Sequence, residues 1–170
     1  MNVKPQPDPG PRYNALLQLL RTAETLWNAS RVFFAPWNLS PSQFNILNLL
    51  HGQPTGRSQV ELSRDLIMHR SNVTGLVDRL EARCLVARTE APEDRRAYRV
   101  ILTTDGMKLL HAILPHYYRA AEEVWGDLSV QRAGELLAEL DHVSANANRI
   151  ALQSRPASTG ESQSPSTASP

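Results

Sequence analysis

The sequence predicts a mainly α-helical chain interrupted once by a small β-hairpin. Three observations carry that expectation. Apolar residues recur at helical spacing over most of residues 12–150. Two serines open capping boxes, Ser40 to Gln43 (SPSQ) and Ser58 to Glu61 (SQVE). The periodicity then switches from helical to alternating around the charged stretch EDRR at 93–96.

Taken in order, residues 12–35 carry Tyr13, Leu16, Leu17, Leu20 and Trp27 on a first helix. Ser40 caps a second helix with Pro41 at its first position and Phe44, Leu47 and Leu50 inside, ended by Gly52, Pro54 and Gly56. Ser58 caps a short third helix containing Leu62 and Leu66. A fourth runs from about Arg70 to Arg83, with Val73, Val77 and Leu80 on one stripe and Leu76 beside it. Val86–Glu90 and Tyr98–Leu102 read as two short strands joined by APEDRRA. Thr103 can cap the helix that follows, which runs towards Trp125 with Pro115 inside as a kink. Gly126 and Asp127 break the chain, and Ser129 caps a last helix with Leu136, Leu137, Leu140, Val143 and Ile150. Residues 1–10 are proline-rich, and 154–170 hold six Ser, two Thr and three Pro with no large apolar side chain, so both ends are expected to be disordered.

With 170 residues, 41% hydrophobic and 21% charged, the chain suits one domain with a sizeable core, here 11–153. The net charge of +1 points to no partner, but its distribution does. Nine of the sixteen arginines lie between Arg57 and Arg99, whereas 120–150 has six acids against Arg132 and Arg149. A basic middle beside an acidic end suits a chain that meets an anion on one face. The single Cys84 excludes an internal disulfide framework. No run of 18 apolar residues appears, and prolines 5, 7, 9 and 11 stand where a signal peptide needs an apolar core, so a cytoplasmic protein with no membrane contact is expected.

Two short helices joined by three residues (Ile67, Met68, His69) and followed by a hairpin give the order of a winged helix-turn-helix, spanning 40–103. In that motif the second helix enters the DNA major groove with its N-terminal turns nearest the bases. Once Val73, Val77 and Leu80 face inward, Arg70, Ser71, Asn72, Thr74, Gly75, Asp78 and Arg79 remain outside. Small polar groups there suit base edges and phosphates, and Arg79 can hold a phosphate. At the hairpin tip, Arg95 and Arg96 can enter the minor groove, where flanking phosphates focus negative potential, with Asp94 as a buttress that aims Arg96.

The stretch HRSNVTGLVDRLEARCLV (69–86), with the wing pattern Asp94-Arg95-Arg96 continuing to Leu102-Thr103-Thr104-Asp105-Gly106, resembles the MarR family of transcriptional regulators over roughly residues 12–150. The resemblance implies a homodimer whose N-terminal helix (12–35) and last helices (104–153) pair, each chain presenting one winged reader. Trp27, Phe33, Phe34, Trp37, Leu110, Ile113, Leu114, Trp125 and Leu136 are more apolar surface than one reader can cover, which argues for a dimer independently. A two-fold dimer implies a pseudo-palindromic operator in double-stranded DNA. The resemblance also implies release by a small, often aromatic effector; Trp27, Arg31, Phe34 and Trp37 are the candidate pocket. One departure stands out: Cys84 occupies the helix C-cap where the family has Gly, a position that favours positive φ.

Other classes fit less well. His51, His69, His111, His116 and His142 are scattered, and His111 and His116 are five apart, off the spacing that aligns two metal ligands on a helix. No enzyme, metal site or cofactor is expected. The alternatives are a metal- or redox-responsive regulator of the same fold, or a winged module that binds proteins only. The Asp94–Arg96 element disfavours the latter, because a protein-binding wing has no need of a minor-groove arginine.

Overall fold

The computed structural model describes residues 9–66, 70–91 and 94–153, and no side-chain detail for residues 70, 71, 91 and 94–97. The expectations for residues 1–8, for the link 67–69 and for the tail 154–170 lie outside the described residues. The elements are α1 (Gly10–Phe34), a 3-10 turn (Ala35–Trp37), α2 (Pro41–Leu50), β1 (Arg57–Ser58), α3 (Gln59–Asp65), α4 (Arg70–Glu81), β2 (Val86–Ala91), β3 (Asp94–Leu102), α5 (Thr104–Trp125) and α6 (Val130–Gln153). The chain divides into a unit ending at Tyr118 and a second beginning at Arg119.

Local chemistry sets most of the boundaries. The Ser40 hydroxyl accepts from the Gln43 N–H at 3.2 Å, and the Gln43 side chain accepts from the Ser40 N–H at 2.8 Å. Ser58 and Glu61 repeat the exchange at 3.2 and 2.6 Å. Each pair satisfies two backbone donors that a helix start leaves open. Thr103 and Ser129 cap α5 and α6 through the N–H groups of Gly106 (3.0 Å) and Arg132 (3.3 Å). α5 is a helix from end to end with Pro115 inside. Gly10, placed in the N-terminal arm by composition, is the first residue of α1.

The sheet departs from the two-strand expectation in two ways. β1 adds a third strand, pairing Arg57 with Val100 and Ser58 with Arg99, so the antiparallel order is β1-β3-β2. β3 begins at Asp94, four residues before the expected Tyr98. Glu90 pairs with Tyr98 and Ala91 with Asp94, which leaves residues 95–97 as a bulge in β3 opposite a single step of β2. The bulge breaks the alternation that would have revealed the strand.

One apolar cluster fills the first unit. Phe34, Phe44, Ile46, Leu47, Leu50, Leu62, Val73, Val77, Leu80, Val86, Val100, Leu110 and Ile113 are all buried in it, so Phe34, Leu110, Ile113 and Leu114, expected from sequence to need a partner surface, are covered within the chain itself. Phe34 stacks on Phe44 with ring centroids 4.3 Å apart, and Tyr117 lies 4.8 Å from Phe44. In the second unit, α6 buries no residue among those described.

Candidate nucleic-acid interface

Helix α4 has the two faces its sequence predicts. Val73, Leu76, Val77 and Leu80 are buried, while Asn72 and Arg79 are exposed. Gly75 is half-buried, and a side chain there would meet the Arg79 guanidinium at an ordinary contact distance of 3.7 Å. The Arg79 side chain therefore runs back over Gly75 towards the start of the helix, as long side chains on helices do. The Thr74 hydroxyl donates to the Gln59 side-chain oxygen at 3.1 Å, joining α4 to the first residue of α3. Gln59 thus stands beside the outer face of α4, although no pattern in the sequence marks it.

The C-terminal end of α4 closes as a Schellman motif. The Leu85 N–H reaches the Leu80 carbonyl at 3.0 Å, and the Cys84 N–H reaches that of Glu81 at 2.8 Å. Cys84 takes the left-handed conformation at φ 55°, where glycine would be relaxed. Its thiol-bearing residue is exposed. The Thr103 hydroxyl donates to the Cys84 carbonyl at 2.6 Å while accepting from the Gly106 N–H. Gly106 is required here, because a Cβ would fall 1.9 Å from the Leu85 carbonyl oxygen.

Arg88 on β2 bonds to both Asp78 and Glu81 of α4, so the hairpin and the helix are joined by a forked ion pair. Hydrogen bonding to Asp78 heads the causes that raise the Arg88 pKa, and the group stays charged throughout the physiological range. Asp78, read from sequence as part of the outer face, is thereby committed to the hairpin. Arg99 on β3 donates to the carbonyls of Thr55 and Gly56 at 2.8 Å each and lies 3.7 Å from Glu61. Arg57 pairs with Asp65, and Arg83 donates to the carbonyls of Trp37 and Asn38. Four arginines of the basic middle therefore hold elements together. The Glu61 carboxyl lies below its ordinary value of 4.5, chiefly because it accepts from the Ser58 backbone and side chain, with Arg99 and Arg57 adding to the effect.

Among the expected DNA contacts, Asn72, Thr74, Gly75 and Arg79 come together on the outer side of α4. The side chains of Arg70, Ser71, Asp94, Arg95 and Arg96 lie outside the described residues; their backbones form the first turn of α4 and the first residues of β3. Among the described residues the four candidate effector side chains lie in different surroundings. Phe34 is 1% exposed within the core, and Arg31 is exposed on α1. Trp37 packs against Phe33 (5.5 Å) and His116 (6.0 Å). Trp27 lines a cleft of about 200 Å³, with Asn45, Asn48 and Leu49 of α2 and Asp65 and Leu66 at the end of α3.

A profile described as MarR family matches residues 37–97, the span from the 3-10 turn to the bulge of β3. The HTH-type transcriptional regulator FarR of Neisseria gonorrhoeae is 32% identical over 125 residues, covering 72% of this chain and 85% of FarR. The solved structure of the transcriptional repressor CouR bound to a 23-mer DNA duplex superposes with a TM-score of 0.67 at 30% identity, covering 75% of this chain and 89% of CouR. BpsR of Bordetella bronchiseptica, solved in a study of how 6-hydroxynicotinic acid regulates its DNA binding, gives a TM-score of 0.67 at 28% identity, covering 75% and 91%. The helix order, the forked α4–hairpin link and these likenesses converge: the chain belongs to the MarR family of winged helix-turn-helix transcriptional regulators.

Proposed function

We propose that the protein is a homodimeric repressor that binds a pseudo-palindromic operator in double-stranded DNA and is released by a small aromatic effector. The observation that carries the DNA reading is α4 itself. Its polar face, with Asn72, Gly75 and Arg79, is free of the core, and Arg88 fixes its angle to the hairpin. Helix and hairpin then approach the duplex as one piece, α4 in the major groove and the bulged start of β3, with Arg95 and Arg96, in the neighbouring minor groove. Asp94 buttresses Arg96, while Arg70, Ser71 and Thr74 complete the groove-facing start of α4. The DNA-bound CouR relative supports this reading.

The dimer rests on surface that water cannot favourably cover. Tyr13, Leu16 and Leu20 of α1 are exposed, as are Leu137, Val143 and Ile150 of α6. A second copy buries such faces and supplies the two-fold axis that a palindrome mirrors. The cleft under Trp27 is the place for the effector, since Trp27 offers a stacking face and Asn45 and Asn48 offer amide groups. BpsR, whose DNA binding 6-hydroxynicotinic acid regulates, supports a small aromatic ligand. Among the described residues no helix is long and apolar enough to cross a membrane, in keeping with a cytoplasmic site of action.

Purified protein mixed with fragmented genomic DNA at about 0.15 M salt, where screening is physiological, tests the proposal. Enrichment of one pseudo-palindrome is expected. Recovery without any common motif, both with and without candidate aromatic acids, would overturn it.

A further inference from the structure

His51 ends α2 and His111 lies on α5, sixty residues away in sequence, yet their Nε2 atoms are 3.3 Å apart. The rings stand nearly perpendicular, with centroids 5.4 Å apart, so the two Nε2 atoms face each other. Both side chains are exposed, which leaves the space beside the pair open to ions from solution. Two imidazole nitrogens on one tetrahedral zinc, each about 2.0–2.1 Å from the ion, lie about 3.3–3.4 Å apart. A square-planar ion would draw the same two nitrogens to about 2.9 Å. The observed hydrogen-bonded separation of 3.3 Å therefore lets both nitrogens reach one tetrahedral ion with little movement.

We propose that His51 and His111 form a two-histidine site for a tetrahedral divalent cation of the zinc type. In the metal-free protein one ring donates its Nε2–H to the other. On binding, the donating ring moves that proton to Nδ1, both Nε2 lone pairs turn to the ion, and water fills the other two positions. Among the described residues no cluster of three histidine, cysteine or acidic side chains could hold a metal, so those residues supply two ligands. Such a site is open and exchangeable, unlike the closed four-ligand sites that build small domains. It would tie the end of α2, the helix that lines the Trp27 cleft, to α5 two turns from its start.

The test is Zn²⁺ binding by the untagged full chain, followed by competition with a chromophoric chelator, and Co²⁺ binding followed by its visible bands. Wild type should take up one ion per chain, show the intense spectrum of four-coordinate Co²⁺, and melt at higher temperature with Zn²⁺. His51→Ala and His111→Ala should each weaken Zn²⁺ by at least about tenfold, because losing a ligand costs no less than losing an outer-shell partner. His116→Ala and His142→Ala should bind as wild type. His111→Gln, which keeps a hydrogen-bonding group, should remain folded and still lose the Co²⁺ spectrum. Absence of binding by wild type overturns the proposal. So does retention in either His51→Ala or His111→Ala, which would place the ion elsewhere.

Discussion

Helices α2 and α6 differ in a way that their sequences only half reveal. α2 has ten residues, and seven of them are buried, with Phe44, Ile46 and Leu47 fully enclosed. α6 has 24 residues and none is buried, although Leu136, Leu137, Leu140, Val143 and Ile150 follow a helical stripe just as regular. The first stripe is satisfied within its own chain. The second is a surface that stays in water until something covers it. Hydrophobic patterning therefore reports that a face will be buried, but not by what.

The largest effect should come from emptying the satisfied side. Phe44→Ala removes a ring stacked on Phe34 and close to Tyr117, and should cost about 3–5 kcal/mol of stability in chemical denaturation at fixed protein concentration. The corresponding insult to α6, Leu137→Asp, should leave the far-UV signal of the reader in place but convert the proposed dimer to monomer in sedimentation. The expected weakening of association is of order 2 kcal/mol or more, typical of a charge set into an apolar interface. If Leu137→Asp sediments as wild type, α6 is not the pairing surface.

Smaller effects separate the reader from the scaffold. Arg96→Ala should weaken specific DNA binding by about 1–3 kcal/mol and leave the dimer unchanged; equal affinity would remove the wing from the interface. Arg79→Ala should weaken binding to all sequences alike and reduce the slope of log affinity against log salt by about 1. A change in base preference would instead make Arg79 a reader of sequence.

The smallest effect concerns the capping box of α3. Because the folded-state pKa of Glu61 is depressed, its carboxylate contributes stability that is complete above the ordinary value of 4.5 and is lost as pH falls through the lower folded value. The side chain is partly exposed, so the contribution is about 0.5–1 kcal/mol, typical of a helix cap. Glu61→Gln, which keeps an acceptor for the Ser58 N–H but no charge, should lower neutral stability by up to that amount and flatten the acid limb below pH 4.5. An acid limb identical to wild type would mean that other carboxylates govern it.

What could be read from sequence was what is decided locally. The capping boxes at Ser40 and Ser58, the caps at Thr103 and Ser129, and the strained C-cap at Cys84 depend on residues within a few positions of one another, and all take the expected form. Elements that depend on distant partners were hidden. β1 is two residues long and exists because Val100 and Arg99 lie beside it, so it carries no periodicity. The early start of β3 was masked by the bulge at 95–97. The arginine count suggested one basic face, but a count does not show that Arg57, Arg83, Arg88 and Arg99 bind partners as far as 46 residues away. The histidines looked scattered because only spacing within one helix was informative, whereas His51 and His111 meet across two.

The joint between α4 and α5 has a mechanical consequence. The Schellman turn, the Thr103 hydroxyl between Cys84 and Gly106, and the bare Cα of Gly106 against the Leu85 carbonyl leave this junction no slack. These contacts tie the beginning of α5 directly to the end of α4. The twelve residues of α4 form an arm about 18 Å long, so a swing of about 10° at this joint carries its leading tip about 3 Å, close to one base step of DNA. In the proposed DNA complex, a small angular change at the base of α4 would therefore shift its leading tip by about the spacing of one base step.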